Sequence, residues 1–169
     1  RTLLYAASPL NNPNNDPAKW QAAADAAKAV ISLNYYALNA NFVAAFTNRS
    51  DKEVILGVQQ AKNSALETAQ APVGYTNDII TGKGLTSPTQ ELVDAFPTVK
   101  GLSITADIKS STNATGFDAA NPYANRDPRL TATVFYNGGK WLGRSVETFE
   151  GGKDKPGGSL IQTKTGYYL

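Results

Sequence analysis

The sequence predicts a mainly α-helical protein with irregular loops and a few short strands. Three observations lead to this prediction. Apolar residues recur at helical spacing over residues 17–33. Asn, Gly, Pro, Ser and Thr are abundant, with 14 Gly and 9 Pro in 169 residues, which is typical of a chain with many ordered loops. Apolar and polar residues alternate over residues 102–108, which is the pattern of a half-buried strand.

The helix over residues 17–33 has the clearest start signal in the chain. Asp16 is a good N-cap, and Pro17 suits the first helical position because its missing N–H would have no partner there. The apolar face predicts that Trp20 lies in the core. Residues 3–8 predict the end of an earlier helix, and residues 40–47 predict a short one.

The middle of the chain is less regular. Residues 54–58 predict a short buried extended segment, with a helix as the alternative, and residues 59–86 predict an irregular stretch. The run Ser87-Pro88-Thr89-Gln90 resembles a capping box and predicts a helix over residues 88–96. The predicted buried face of that helix consists of Leu92, Val93 and Phe96.

The last third of the chain has the signals of extended structure. The alternation over residues 102–108 predicts a strand. Asn137-Gly138 is a strong two-residue turn signal, so residues 129–149 predict a hairpin with strands over 129–136 and 141–149. The remaining segments, residues 110–128 and 151–158, predict loops, and residues 161–169 predict a final extended segment.

Composition excludes several classes of function. The chain has 16 basic and 14 acidic residues and a net charge of +2, which disfavours nucleic-acid binding and a polybasic membrane surface. It contains no Cys and no His, which removes thiolate chemistry, the usual serine triad and the commonest transition-metal ligand. No cofactor and no metal is predicted. The chain begins with Arg1 and has no Met, so we expect it to be a piece of a longer protein.

Several phrases, in this order, resemble the SusD/RagB family across nearly the whole chain. Each phrase alone is weak, whereas their order and spacing together are specific. The phrases are Leu4-Tyr5-Ala6-Ala7-Ser8-Pro9, Trp20 with its Ala-rich helix, Glu53-Val54-Ile55-Leu56, Pro88-Thr89-Gln90-Glu91-Leu92-Val93-Asp94-Ala95-Phe96, Asn121-Pro122-Tyr123, Arg126-Asp127-Pro128-Arg129, Tyr136-Asn137-Gly138, Trp141 with Gly143-Arg144, and Thr163-Lys164-Thr165-Gly166-Tyr167-Tyr168.

The resemblance implies a SusD-like fold with tetratricopeptide-like helices and a role at the cell outer membrane. Residues 1–86 would be the end of the helical supporting region, and residues 87–169 the start of an irregular ligand-facing region. The family implies non-catalytic binding of an oligosaccharide or polysaccharide nutrient and its delivery to a SusC-like TonB-dependent transporter. A surface lipoprotein of this kind meets the membrane only through a lipid anchor, which this piece of the chain lacks.

Aromatic residues on non-periodic segments are the candidate ligand contacts. Sugar C–H faces lie on aromatic rings, and sugar hydroxyls bond to amides and carboxylates. An aromatic platform is therefore expected near residues 70–125, extended by Trp141. The candidate residues are Tyr75, Phe117, Tyr123, Trp141, Asn77, Asp78 and Asn121.

Other constellations have simpler structural explanations. We expect Asp127 to cap a turn, and Arg126 and Arg129 to pair with acidic neighbours such as Asp94 or Asp118. The Thr163–Tyr168 phrase lacks the spacing of a phosphate loop, and residues 107–127 lack the regular spacing of a calcium loop.

An enzyme would need a pair of carboxylates, and Glu147 with Glu150 is the obvious candidate. On a predicted strand their three-residue spacing puts them on opposite faces, so no catalysis is expected. The alternative function is a helical-repeat scaffold that binds protein partners only.

Overall fold

The computed structural model describes residues 1–76, 81–110, 113–155 and 163–169. The chain divides into two compact units, Arg1–Gln60 and Ala61–Leu169. This division comes earlier than the boundary at residue 86 expected from the sequence, and the supporting and ligand-facing roles of the two regions stay predictions. No helix among the described residues has both the length and the apolar composition needed to cross a bilayer.

The first unit contains three helices: α1 (Thr2–Ala7), α2 (Pro17–Ser32) and α3 (Ala44–Thr47). The carboxylate of Asp16 accepts a hydrogen bond from the Ala18 N–H at 2.9 Å, so α2 begins with the predicted cap. In the turn before it, the buried Asn12 amide donates to the carbonyls of Ala7 and Asp16 and accepts from the Asp16 N–H. One asparagine therefore satisfies the backbone of the Asn-rich turn between α1 and α2.

The predicted burial of Trp20 is wrong. The side chain is 39% exposed, its indole N–H donates to Asn15, and Ile31 on the same face is 72% exposed. The element that packs against α2 is α1. At 1.5 Å per residue, the six residues of α1 span roughly 9 Å against roughly 24 Å for α2, so α1 cannot cover that face.

The predicted buried segment at residues 54–58 is also wrong. Ile55, Leu56 and Val58 are all exposed, and neither a strand nor a helix forms there. A tight turn precedes the segment, in which the Asp51 carboxylate accepts from the Glu53 N–H and from the Asn39 amide. Within the described part of the chain this apolar run has no neighbouring strand that could bury it.

The described part of the second unit contains four short helices and one hairpin. They are α4 (Ala65–Gln70), α5 (Gln90–Ala95), α6 (Thr105–Ser110), α7 (Pro128–Thr133), β1 (Lys140–Trp141) and β2 (Arg144–Ser145). Helix α4 falls in the stretch that was predicted to be irregular. Helix α5 lies inside the predicted range of 88–96, but its N-cap is Thr89 rather than Ser87. Of its predicted buried face, Val93 is buried, Phe96 is half-buried and Leu92 is exposed.

Two predicted strands are helices instead. Residues 102–108 contain most of α6, where Asp107 accepts hydrogen bonds from the N–H groups of Ala114 and Thr115. Residues 129–136 contain most of α7, which begins because Asp127 caps it and Pro128 occupies its first turn. The pair Asp127-Pro128 is the same start signal as Asp16-Pro17.

The hairpin turns at a different place from the predicted one. Strands β1 and β2 are antiparallel, with Lys140 opposite Ser145 and Trp141 opposite Arg144. The two turn residues, Leu142 and Gly143, have φ angles of 43° and 84°, which is the backbone of a type I′ turn. Asn137-Gly138 forms a separate turn just before β1, where the Gly138 N–H donates to the Val146 carbonyl at 2.8 Å.

Two clusters of buried apolar side chains lie in the described part of the second unit. One contains Val93, Leu130, Val134 and Tyr167, with Phe96, Tyr123 and Tyr136 packed against it. The other contains Ala71, Tyr75 and Val146, with Phe135 and Trp141 packed against it. Phe135 and Tyr168 exchange two main-chain hydrogen bonds, so the end of the chain is held beside both clusters.

Candidate functional site

The second unit has an open hollow of about 450 Å³, which we call the α5–α6 hollow. Helices α5 and α6 form two of its walls, and the loop over residues 113–126 forms the third. Its polar and aromatic lining consists of Gln90, Asp94, Asp107, Asn113, Phe117, Asp118, Tyr123 and Arg126. A concave surface of this size with aromatic walls and a few polar groups is typical of a site for a small ligand.

Tyr123 is held rigidly at the hollow by other tyrosines. Its ring stacks on Tyr136, with centroids 3.9 Å apart and an interplanar angle of 19°. The hydroxyls of Tyr123 and Tyr167 are 3.2 Å apart, and Tyr167 in turn donates to the Gln90 side-chain oxygen at 2.8 Å. Burial, and next the hydrogen bond with Tyr167, raises the pKa of Tyr123, so its hydroxyl stays protonated and neutral.

Arg126 fixes the loop that carries Phe117 and Tyr123. The side chain is buried, and its Nη1 donates to the Pro122 carbonyl at 2.8 Å. Its Nη2 donates to the carbonyls of Val93 and Phe96 at 2.7 and 2.8 Å. The guanidinium carbon lies 5.6 Å from the centre of the Phe117 ring.

One of the two arginines departs from the ion pair expected from the sequence. Arg126 donates to main-chain carbonyls rather than to Asp94 or Asp118, because the last carbonyls of α5 lack partners within the helix. Burial lowers the pKa of its guanidinium, although a guanidinium remains charged in proteins. Arg129 pairs with an acidic neighbour, Asp127, and Asp127 caps helix α7 instead of the expected turn.

Three aspartates supply hydrogen-bond acceptors around the hollow. Asp94 accepts from the Gln90 amide at 2.8 Å. Asp118 accepts from the Ala120 N–H and the Asn121 amide, and the bond from Asn121 is the main cause of its lowered pKa. Asp107 binds the N–H groups of residues 114 and 115, which shapes the loop beside it.

A second, smaller hollow of about 230 Å³ lies beside the hairpin and shares no lining residue with the first. Tyr75 and Trp141 line it, with ring centroids 4.6 Å apart. The Tyr75 hydroxyl donates to the Trp141 carbonyl at 3.1 Å, and the Arg144 guanidinium lies 3.7 Å from the Tyr75 ring centre. Burial raises the pKa of Tyr75, and the charge of Arg144 opposes part of that rise.

The structure thus divides the predicted aromatic platform into two sets. Phe117 and Tyr123 line the α5–α6 hollow, whereas Tyr75 and Trp141 line the second hollow. Asn121 is exposed and bonds to Asp118 without lining either hollow. Asn77 and Asp78 lie outside the described residues.

Sequence reasoning did not select Gln90, Asp94 or Asp107 as site residues. Gln90 and Asp94 lie one turn apart on α5 and bond to each other, which is a spacing visible in the sequence. Asp107 was considered only as part of a calcium loop over residues 107–127, which lack the regular spacing of such a loop.

The carboxylates outside the two hollows are relevant to two other kinds of site, a metal site and a catalytic pair. In the described ranges no group of three or more Asp or Glu side chains is placed to hold a metal ion. Glu147 and Glu150 follow β2 instead of lying on a strand, and each lies near a lysine, Lys153 and Lys155 respectively.

These features define a helical unit with a rigid aromatic hollow and a rim of hydrogen-bond acceptors. The family model of the SusD family matches residues 52–169 of the sequence, which is more than half of the chain. The chain therefore belongs to the SusD family, and the resemblance found in the sequence is confirmed. The family is associated with the binding of glycan nutrients at the cell surface, and its members are typically surface lipoproteins of the outer membrane. Comparison with curated proteins and with solved structures gave no significant match.

Proposed function

We propose that this protein binds an oligosaccharide without chemical conversion and delivers it to a SusC-like TonB-dependent transporter. It would do so from the outer surface of the outer membrane, attached by a lipid anchor. The observation that carries the proposal is the α5–α6 hollow, in which Phe117 and Tyr123 stand beside the acceptors Asp94 and Asp118. Membership of the SusD family supports the same function.

Rigidity at the hollow favours recognition of a sugar. Tyr123 is stacked on Tyr136, and Phe117 lies against the buried Arg126, so little side-chain freedom is lost when a ligand binds. The ring of Phe117 offers an apolar surface to sugar C–H groups, and the carboxylates accept bonds from hydroxyls. Such contacts are individually modest, so we expect a dissociation constant on the order of micromolar to millimolar.

Trp141 is proposed as a second contact, at the smaller hollow. Tyr75 lies beside it and donates to its carbonyl, so Tyr75 acts as a support for Trp141. Asn121 is proposed to act by holding Asp118. Asn77 and Asp78 remain candidates from the sequence alone.

The test is a glycan array on the full-length protein, followed by calorimetry with Phe117→Ala. We expect this variant to weaken binding of the array's best glycan by about tenfold or more, which corresponds to about 1.4 kcal/mol. The matched control is Phe149→Ala, because Phe149 is an exposed phenylalanine of the same unit that lines neither hollow. Equal weakening by both variants would contradict the proposed site.

Absence of catalysis is tested with the same glycans. We expect no release of reducing ends above background, because the chain lacks His and the two candidate glutamates each lie near a lysine. If reducing ends are released by the protein and this release disappears in Glu147→Gln, the proposal that the protein binds glycans without converting them is overturned.

A scaffold that binds protein partners only is the second candidate function. The observation that favours it is the apolar surface of the first unit, where Ile31 on α2 and Leu38 are exposed. Co-purification from detergent-solubilised membranes separates the two functions. A protein that binds a glycan and is recovered with a SusC-like transporter supports the first function, whereas a protein that is recovered with partners and binds no glycan supports the second.

A further inference from the structure

The one cationic hydrogen-bond donor among the described lining residues of the α5–α6 hollow is Arg126, and it is bonded to the protein's own main chain. Both terminal nitrogens of Arg126 donate to main-chain carbonyls, and the residue is only 5% exposed. The amide nitrogen of Gln90 donates to Asp94, and that of Asn121 donates to Asp118. The guanidinium of Arg126 cannot turn to a ligand without leaving carbonyls unpaired, and its Nε, which has no partner, is buried. Each of the two amides has a second N–H that a neutral ligand can bind.

The charge of the lining has the opposite sign to that of an anion-binding site. Among the described residues that line the hollow there are three aspartates, one arginine and no lysine. The hydrogen bonds from Asn121 and from the Ala120 N–H lower the pKa of Asp118, so this rim carboxylate remains ionised at neutral pH. The one cation is buried behind Phe117 and bonded to carbonyls, whereas Asp118 is exposed at the rim.

We infer that the α5–α6 hollow selects glycans that carry no carboxylate or sulfate group. This inference rests on the proposed function, and it names the class of sugar that the site accepts. A neutral sugar brings hydroxyl donors to Asp94 and Asp118 and lays its C–H face on Phe117. A uronic acid or a sulfated sugar brings a further negative charge and lone pairs toward the same carboxylates. Like charges repel there, and the one guanidinium among the described lining residues is buried and cannot compensate.

The experiment compares pairs of oligosaccharides that differ in one group. Each neutral glycan bound on the array is oxidised at its primary hydroxyls to the uronic acid form, and each acidic glycan bound is reduced to its neutral form. Calorimetry on the full-length protein then gives the affinity ratio of each pair. We expect the neutral member of each pair to bind at least about tenfold more tightly than the acidic member. We also expect Phe117→Ala to weaken binding of the neutral member.

Variants of the rim test the cause of the selectivity. Asp118→Asn and Asp94→Asn each remove one negative charge while nearly preserving the shape of the side chain. Each variant should therefore bring the affinities for the neutral and the acidic member of a pair closer together. Glu150→Gln removes an exposed charge away from the hollow and should leave the ratio unchanged.

The possible failures are distinguishable. If the acidic member binds more tightly than the neutral member and Phe117→Ala weakens this binding, the inference is overturned and the proposed function stands. A ratio that Asp94→Asn and Asp118→Asn do not change also overturns the inference. If neither member of any pair binds, the proposed function fails, and the inference fails with it.

Discussion

The guanidinium of Arg126 donates to the main-chain carbonyl of Val93 at 2.7 Å, across 33 positions of sequence. The same nitrogen reaches the Phe96 carbonyl, so Arg126 satisfies carbonyls at the end of α5 that have no partner within the helix. A cation at that end also interacts favourably with the helix dipole. Because Arg126 also binds the Pro122 carbonyl, the end of α5 and the loop with Phe117 and Tyr123 are held together.

Replacing this guanidinium should destabilise the fold. We expect Arg126→Lys to lower the free energy of unfolding by about 2–4 kcal/mol, because one ammonium cannot reach three carbonyls in their fixed directions. Urea denaturation measures the change. The matched control is Arg129→Lys, because the exposed guanidinium of Arg129 pairs with Asp127 at the surface and its replacement should cost much less stability. Similar losses in the two variants would mean that Arg126 does not anchor α5.

The ion pair between Arg144 and Asp154 should be a second point of sensitivity. Asp154 is fully buried and accepts from both terminal nitrogens of Arg144 and from the Glu147 N–H, each at 2.8 Å. Asp154→Asn removes the buried negative charge and places an amide N–H₂ group against an N–H donor of Arg144 or Glu147. We therefore expect a loss of about 3–5 kcal/mol in unfolding free energy.

An exposed ion pair of the same segment provides the control. Glu150→Gln breaks the pair with Lys155, where the Glu150 side chain is 84% exposed, and should change stability by less than about 0.5 kcal/mol. A loss in Asp154→Asn no larger than that would show that the buried pair does not hold the hairpin.

Stability should fall at alkaline pH because of buried tyrosines. The pKa of Tyr123 is raised above the ordinary value of 10.0, chiefly by burial, and those of Tyr136 and Tyr168 are raised for the same main reason. A raised folded-state pKa means that the unfolded chain loses its proton first, so the stability is fully present below about pH 10 and decreases above it.

The measurement is urea denaturation at several pH values between neutral and strongly alkaline. In Tyr123→Phe the decrease above about pH 10 should be shallower, because one group that titrates differently in the two states is gone. At neutral pH, the unfolding free energy lost in Tyr123→Phe measures the contribution of the hydrogen bond between the hydroxyls of Tyr123 and Tyr167. An unchanged dependence of stability on pH above about pH 10 would show that the partly buried hydroxyl of Tyr123 does not have a raised pKa in the folded state.

The helices that could be predicted were those with local start signals. Asp16-Pro17 gave α2, and the same signal at Asp127-Pro128 was present but was outweighed by the apolar pattern over residues 129–136. Helix α6 was harder to predict from the sequence, because Asp107 binds the backbone N–H groups of residues 114 and 115, seven and eight positions later. Periodicity over a short window does not contain that information.

The candidate site was partly predictable for the same reason. Phe117 and Tyr123 were selected because they lie on a non-periodic segment, and both line the α5–α6 hollow. Tyr75 met the same criterion, yet it is buried by Trp141 and Arg144, which lie 66 and 69 positions away. Contacts over such separations are set by tertiary packing, so sequence reasoning could not distinguish the supporting ring of Tyr75 from the rings that line the α5–α6 hollow.

Two glycines with the same backbone preference should respond differently to alanine. Gly84 and Gly101 have φ angles of 54° and 76°, where a side chain is strained. A Cβ on Gly84 would overlap the buried ring of Tyr168, whereas a Cβ on Gly101 would meet no atom within 4 Å. We therefore expect Gly84→Ala to cost about 3–5 kcal/mol in unfolding free energy, from strain and overpacking together, and Gly101→Ala to cost about 1–2 kcal/mol, from strain alone. Urea denaturation of both variants measures the difference, and equal losses would show that Tyr168 does not pack over Gly84.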